Sequence, residues 1–334
     1  MPPGFSIIMP AHNAESTIEL AIRAAMRQQS KSGFEIIVVD DGSTDQTREL
    51  AEKFPLKLVA LSQNLGAGAA RNQGAKSAEG GILVFVDADV LLEDGALLRI
   101  EEFFESHPEA QGLVGNYTDI PYDRGACSVY HNFFTVYHHS LSQERIEWFW
   151  GALSAVRKEI FMKLGGFCER YPGASAEDIE LGYRLSEAGS QLFFLPGLRG
   201  SHARKFNLRS MLYNDYHKAV LGLKLYLKRK PAGKHPHGFS NLLNGLNLVL
   251  AMLSWPAALS LFFQGGTLYL FLLAVFIAAN FRFYHYIFRR AGALYLLSSI
   301  PLHWLAFNAI AAGTLGGVIG LLLGKGLESD SRWL

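Results

Sequence analysis

The sequence predicts an α/β domain with a mainly parallel central sheet, followed by amphipathic interfacial helices and a C-terminal transmembrane helical region. Short apolar strands alternate with helical segments over residues 1–205, a pattern typical of doubly wound sheets. Residues 206–239 interleave basic and apolar side chains, and residues 240–324 are apolar and aromatic. Residues 325–334 form a short polar tail. The chain is therefore expected to contain a soluble part and a membrane part.

Length and composition are consistent with two modules and exclude some classes of protein. The 334 residues exceed one small core, and a formal net charge of +1 gives no reason to expect a nucleic-acid partner. Two cysteines, Cys127 and Cys168, form neither a disulfide framework nor a zinc pattern, which favours a reducing compartment. The N-terminus lacks a basic segment followed by an apolar one, so no cleaved signal peptide is expected.

The first 86 residues divide into strand and helix segments in strict alternation. The predicted strands are Phe5–Met9 (ended by Pro10), Phe34–Val39, Leu56–Leu61 and Ile82–Val86, and the predicted helices between them are Glu15–Arg27, Thr44–Lys53 and Ala67–Ser77. Ligands of such sheets bind beyond the carboxyl ends of the strands. Three polar segments lie at those ends, namely Pro10–Asn13, Asp40–Asp41 and Asp87–Asp89, and together they predict one site.

Asp87 and Asp89 are the most informative pair in this site. They follow a buried strand at positions i and i+2, where side chains of an extended segment point the same way. Hard carboxylate oxygens suit Mg²⁺ or Mn²⁺, ions that commonly hold phosphates. The alternative is an ordinary strand followed by a polar turn.

Six segments in this order and spacing resemble glycosyltransferase family 2, the inverting transferases with a GT-A fold. They are Ser6–Asn13, Ile36–Asp45, Asn64–Gly74, Val86–Asp89, Gly165–Phe167 and Ala176–Arg184. The resemblance implies a nucleotide-sugar donor, with Glu15 and Asp41 at the base and ribose and Arg71 steadying the nucleotide or its phosphates. The implied donor-binding residues are Pro10, Ala11, His12, Asn13, Glu15, Asp40, Asp41, Arg71, Asp87 and Ala88. The alternatives are a turn and helix cap for Asp40–Asp41 and a helix surface charge for Arg71.

The same resemblance implies the catalytic and metal residues. Asp178 stands where the family keeps its general base, and Glu177 is either a substitute base or a helix-start acid favoured by the helix dipole. Asp87 and Asp89 match the metal motif for Mn²⁺ or Mg²⁺, with Asp89 the expected direct ligand. His202 is expected either to complete the metal shell or to be a loop histidine.

Aromatic residues before Gly151 suggest where an acceptor would bind. Trp148 and Trp150, with Gly151, are predicted either to line an apolar or sugar-stacking acceptor wall or to pack in the core. The pair His138–His139 has no partners at ligand spacing and is expected at a surface or an interface.

The apolar stretch predicts two to four membrane helices, with three favoured. Two antiparallel spans are expected over 241–263 and 268–288, and residues 291–324 are expected to form an interfacial helix and one span or two shorter helices. Basic flanks place the catalytic domain in the cytoplasm of a multi-pass protein of the inner or plasma membrane. The acceptor would then be lipid-linked or membrane-associated. A polyprenyl-phosphate sugar synthase is the alternative, and a non-catalytic nucleotide-sugar-binding membrane protein is a weaker one.

Overall fold

The computed structural model describes residues 2–170, 176–228, 242–258 and 266–323, which form two compact units. Unit 1 contains residues 2–118 and 142–204, and unit 2 contains the described residues of 119–141 and 205–323. Residues 119–141, which the sequence analysis included in the first domain, therefore cluster with the C-terminal helices. The predicted polar tail, 325–334, lies outside the described residues.

Unit 1 is built around one mixed β-sheet. Its strands are β1 (Phe5–Ala11), β2 (Phe34–Asp40), β3 (Lys57–Ala60), β4 (Ile82–Val86), β5 (Val90–Leu92), β6 (Ala110–Tyr117), β7 (Arg145–Ile146), β8 (Leu153–Arg157) and β9 (Gln191–His202). Their order is β3-β2-β1-β4-β8-β6-β9-β5, with β7 paired to β9. β3, β2, β1 and β4 are mutually parallel, whereas β8 is antiparallel to β4 and β6. The predicted α/β class is confirmed; the four mutually parallel strands form one half of the sheet, and β6 and β9 are a parallel pair in the other half.

The central strands are apolar along their length because helices cover both faces of the parallel half. Every residue of β1 is buried. β1 also continues through Pro10 to Ala11, beyond the predicted end. Its pairing with β4 ends at Ile8, so Pro10 needs no hydrogen bond on that side.

Helices of unit 1 connect these strands. They are α1 (Ile18–Met26), α2 (Thr47–Ala51), α3 (Ala67–Ser77), α4 (Ala96–Ser106), α6 (Lys158–Lys163) and α7 (Glu177–Glu187). α3 has the predicted bounds, whereas α1 and α2 begin about three residues later than expected. α3 lies close to β1, because a Cβ on Gly74 would come within 2.4 Å of Ile8 Cγ2.

Unit 2 is helical. Its helices are α5 (Ala126–Ser140), α8 (Leu208–Lys228), α9 (Leu242–Ala257), α10 (Thr267–Ala279), α11 (Phe281–Ala291) and α12 (Ala293–Leu322). α8 packs on α12 through glycines, since a Cβ on Gly313 would lie 2.3 Å from the Tyr216 carbonyl oxygen. One face of this helix, expected to lie on a bilayer, is thus covered by protein. His138 and His139, expected at a surface or an interface, are buried in α5, and His138 Nε2 lies 3.3 Å from Asn244 Oδ1 of α9.

The membrane part differs from the predicted set of spans. One described helix, α12, is long and apolar enough to cross a membrane, and a second crossing is available only if α10 and α11, bent by 63°, count as one. α9 has 16 residues, about 24 Å, which is shorter than the ~30 Å hydrocarbon core. The third stretch is one 30-residue helix that continues through Pro301. Several crossings are therefore not supported, although residues 241 and 259–263 of the first predicted span lie outside the described residues.

Candidate active site

The loops that follow β1 and β2 are hydrogen-bonded to each other at the carboxyl edge of the sheet. The Asn13 N–H donates to Ser43 Oγ at 3.0 Å, and the Thr44 N–H donates to Asn13 Oδ1 at 2.9 Å. Asn13 has a φ of 50°, a conformation that asparagine tolerates better than most residues. The Asp40 carboxylate accepts the Ser43 N–H, and the exposed Glu15 accepts a backbone N–H of the second loop. The predicted donor residues of both loops are thus brought together.

Asp41 holds the turn that precedes α3. Its buried carboxylate accepts the N–H groups of Leu65 at 2.8 Å and Gly66 at 2.9 Å, and Gly66 has a φ of 95° that favours glycine. The exposed His12 places Nδ1 2.9 Å from the Asp41 carbonyl oxygen. The turn-holding alternative for Asp41 is therefore observed, and its contact with a nucleotide stays a prediction.

Arg71 joins three elements of unit 1 through one buried guanidinium. Its Nη2 donates to Asp87 Oδ1 at 2.7 Å, and its Nη1 donates to Glu177 Oε1 at 2.8 Å. Burial alone would lower the pKa of Arg71, but the two carboxylates raise it above its usual value. A Cβ on Gly151 would lie 2.6 Å from the guanidinium carbon, so only glycine leaves room for this arrangement. Arg71 is therefore no helix surface charge.

Asp178 lies at the start of α7, beside this ion-pair cluster. The Gly151 N–H donates to Asp178 Oδ2 at 3.2 Å, and the Ile179 N–H donates to Oδ1 at 2.7 Å. Burial and the negative charge of Glu177 raise the pKa of Asp178 to about 7. A carboxylate with a pKa near neutrality suits proton transfer at neutral pH. Glu177, in contrast, is 2% exposed and its carboxylate is engaged by Arg71.

Asp89 and His202 face each other where β5 pairs with the end of β9. His202 Nε2 lies 3.6 Å from Asp89 Oδ2. Burial opposes ionisation of Asp89, but His202 and Arg204 bring its pKa below the ordinary value. The His202 ring stacks on Tyr117 with centroids 4.5 Å apart and an interplanar angle of 8°, which fixes its orientation.

Asp89 and His202 could bind a divalent cation, but the two side chains alone do not complete its coordination shell. No group of three or more His, Cys, Asp or Glu within the described ranges is arranged to hold a metal. Asp87 points to Arg71, so the predicted set of Asp87, Asp89 and His202 is not assembled as one shell. A carboxylate and an imidazole nevertheless suit Mn²⁺ or Mg²⁺ when substrate phosphates supply further oxygens.

The two tryptophans of the predicted acceptor wall have different surroundings. Trp148 is 4% exposed and packs in the core of unit 1, which matches the core-packing alternative. Trp150 is half-buried, with its ring 4.7 Å from Tyr117 in an edge-on contact. Only Trp150 and Gly151 therefore remain beside the candidate site.

Two features of the site were not predicted from the sequence. Tyr117, at the end of β6, orients both His202 and Trp150, but no motif marks it. The Gly151 N–H positions Asp178, and backbone donors leave no trace in a sequence pattern. The glycine that follows Trp150 is a partial signal that could have been used, because glycine permits the close approach of another group.

Comparisons with known proteins concern the family and the fold of the chain. Residues 6–165 match the model of glycosyl transferase family 2. Validoxylamine A glucosyltransferase of Streptomyces hygroscopicus subsp. limoneus is 27% identical over 250 residues, covering 64% of this chain and 55% of that enzyme. The minor teichoic acid biosynthesis protein GgaB of Bacillus subtilis is 39% identical over 118 residues, covering 33% of this chain and 13% of that protein. The chain thus matches only about half, or less, of the length of these relatives.

A solved structure shows the same fold. Mannosyltransferase PcManGT from Pyrobaculum calidifontis, in complex with GDP-Man and Mn²⁺, superposes with a TM-score of 0.56 at 19% identity, covering 97% of this chain and 88% of that chain. The strand order, the family match and this likeness agree. The chain contains a glycosyltransferase family 2 domain over residues 6–165, with a GT-A fold.

Proposed function

We propose that this chain is an inverting transferase that moves a sugar from a nucleoside-diphosphate sugar to a hydroxyl of a membrane-associated, lipid-linked acceptor. The observation that carries the proposal is the position of Asp178. It adjoins the Arg71 cluster, which includes Asp87 of the metal motif, and its pKa is about 7. A candidate base and a candidate diphosphate site thus share one buried network.

Each residue has a distinct role in this reaction. Asp178 takes the proton of the acceptor hydroxyl as the oxygen attacks the anomeric carbon, opposite the departing diphosphate. Arg71 positions Asp87 and Glu177, and Glu177 in turn keeps the pKa of Asp178 high. Asp89 and His202 would hold Mn²⁺ or Mg²⁺, which when bound neutralises charge developing on the leaving diphosphate.

The nature of the acceptor is inferred from the C-terminal helices. α12 is a candidate membrane span, so the acceptor would be held at a membrane. GgaB, a relative, is named for teichoic acid biosynthesis. Both features favour synthesis of a cell-envelope glycolipid or polysaccharide. A polyprenyl phosphate is the alternative acceptor, and because it is already anionic it would need Asp178 only for positioning.

A direct experiment tests the proposal. Purified full-length protein is incubated with membrane lipids and a panel of UDP-, GDP- and dTDP-sugars, and products are identified by mass. We expect one donor to give a lipid product heavier by one sugar residue. Binding of a donor without any product would instead favour a non-catalytic nucleotide-sugar-binding protein.

The role of the metal motif gives one prediction. Asp89→Ala should lower turnover at least ~100-fold, because charge stabilisation by a metal is worth several kcal/mol, and excess EDTA should do the same. Steady-state rates with added Mn²⁺ or Mg²⁺ measure both effects. Asp94→Ala, at an exposed carboxylate, is the matched control and should turn over like the wild type. Full activity in excess EDTA would contradict the metal assignment.

The raised pKa of Asp178 predicts the pH dependence of turnover. A general base works only when deprotonated, so kcat/KM should fall as the pH drops through about 7. The measurement is a pH–rate profile between about pH 5 and 9. Asp178→Asn should remove this acidic limb. A profile with no limb between pH 6 and 8 would show that a different group takes the proton.

The basic flanks give a prediction of topology. We propose that the catalytic unit is cytoplasmic and that the protein resides in the inner or plasma membrane. A pair of reporters, one active only in the cytoplasm and one only outside it, is fused separately to the N-terminus. The cytoplasmic reporter should be active and the other silent, and the reverse result would refute the orientation.

A further inference from the structure

Among the described residues that follow α8, α11 contains all the Asp, Glu, Lys and Arg side chains. Between Asp215 and Glu328 the sequence has no acidic residue. Within the described ranges 242–258 and 266–323, the side chains of Asp, Glu, Lys or Arg type are three arginines of α11: Arg282, Arg289 and Arg290. This part of unit 2 therefore attracts anions through one short helix.

The helix has a buried face and an exposed face of different chemistry. Phe283, Tyr284 and Ile287 are buried in the core of unit 2. At 100° per residue, the exposed side chains other than Arg290 occupy a continuous arc of about 120°. In order around that arc they are Phe288, Phe281, His285, Arg289 and Arg282. The exposed face is thus aromatic on one side and cationic on the other.

The arginines differ in what they contact. Arg290 forms an ion pair with Asp119 and lies 5.1 Å from the Tyr286 ring centroid, so its charge is used within unit 2. Arg282 and Arg289 are exposed and have no ion-pair partner among the residues that the structure describes. Two cations therefore remain available to an external anion.

The aromatic half of the face is exposed to an unusual degree. Phe281 is 67% exposed and Phe288 is 48% exposed, and the first turns of α12 add the exposed Leu294 and Leu297. A soluble partner that is simply acidic would leave this apolar area in water. A bilayer surface accommodates apolar rings and cationic side chains together.

The direction of α11 is fixed by a buried amide pair. Asn280, at the 63° bend between α10 and α11, exchanges two hydrogen bonds with Asn247 of α9, at 3.0 and 2.8 Å. Both side chains are buried. The bend is therefore held by the fold, and α11 leaves the axis of the apolar helix before it.

We propose that α11 is an interfacial helix that binds anionic phospholipid. Phe281 and Phe288 enter the apolar edge of the leaflet, and Arg282 and Arg289 contact headgroup phosphates. The proposal moves the membrane-surface role from the 206–239 segment to α11. It does not depend on glycosyl transfer, because its test measures lipid binding alone.

The test uses full-length protein purified in a neutral detergent. Dioctanoyl phosphatidylglycerol and dioctanoyl phosphatidylcholine are titrated separately, and the shift in melting temperature gives apparent affinities. We expect phosphatidylglycerol to stabilise the protein more strongly than phosphatidylcholine. Arg282→Gln with Arg289→Gln should weaken phosphatidylglycerol binding roughly 25-fold, since each basic residue near a surface is worth ~1 kcal/mol.

Two further variants and two further ligands decide the interpretation. The double variant Arg282→Lys with Arg289→Lys should retain the preference for phosphatidylglycerol over phosphatidylcholine. The matched control, Arg27→Gln with Arg99→Gln at exposed arginines of unit 1, should retain it too. An unchanged response in the α11 glutamine variant would overturn the proposal. An equal shift with inorganic phosphate would show a simple anion site, and tighter binding of polyglutamate would show a site for an acidic protein. Either result also overturns it.

Discussion

Replacing Asp178 with Asn is expected to lower kcat by about 10²–10⁴-fold, the usual contribution of a positioned general base. The amide keeps the size of the side chain, but it offers one acceptor oxygen to the Gly151 and Ile179 N–H groups and cannot accept a proton. The KM for the donor should change little, because the Asp178 carboxylate is hydrogen-bonded to Gly151 and Ile179 and not to the predicted nucleotide-binding loops after β1 and β2. Steady-state kinetics with the donor and acceptor found in the panel measure both constants.

The neighbouring carboxylate supplies the control for this prediction. Glu177→Gln retains an oxygen that accepts from Arg71, so it should reduce kcat less than Asp178→Asn does. If Glu177→Gln is the more damaging change, Glu177 is the base. If Asp178→Asn turns over nearly like the wild type and Glu177→Gln is mild too, the acceptor is a phosphate that needs no base.

Replacing Arg71 with Met is expected to cause the largest loss of stability in unit 1. The change leaves Asp87 and Glu177 without their shared cation, and loss of one partner from a buried ion pair costs about 3–5 kcal/mol in the free energy of unfolding. For a unit of this size, the loss corresponds to a melting temperature lower by roughly 10 °C. Thermal unfolding followed by circular dichroism measures it.

A matched substitution at an exposed arginine distinguishes the loss of a buried ion pair from the general effect of removing an arginine. Arg23→Met removes an exposed pair with Glu19 and should cost at most about 1 kcal/mol. The melting temperature of Arg71→Lys should lie between those of Arg71→Met and Arg23→Met, because one ammonium group cannot reproduce the hydrogen bonds of the guanidinium to both carboxylates. Equal melting temperatures for Arg71→Met and Arg23→Met would refute a buried ion-pair cluster at Arg71.

The parts of the site that follow local rules could be predicted from the sequence. β4 delivers Asp87 and Asp89 to the carboxyl edge because five apolar residues precede them and parallel strands end together. α3 could be bounded because Gly66 begins it and a β conformation at Ala78 ends it. Both features depend on neighbouring residues alone.

Contacts between distant residues could not be predicted in this way. The sequence left two roles open for Glu177, a base or a helix-start acid. It could not show the ion pair with Arg71, because the two residues are 106 positions apart in the chain. Trp148 and Trp150 share one motif, but α7 and Phe194 of β9 pack against Trp148, which is the one that is buried. The bend at Asn280 was missed because its cause, Asn247, lies on another helix.

The anomeric configuration of the transferred sugar is the most direct test of a single, inverting displacement assisted by Asp178. In one displacement assisted by Asp178, the acceptor oxygen attacks from the face opposite the nucleotide, so the anomeric configuration must invert. Proton NMR of the purified product, compared with the donor, gives this configuration from the anomeric coupling constant. A single displacement gives a β-linked product from an α-linked donor, and a product that retains the donor configuration would refute that mechanism.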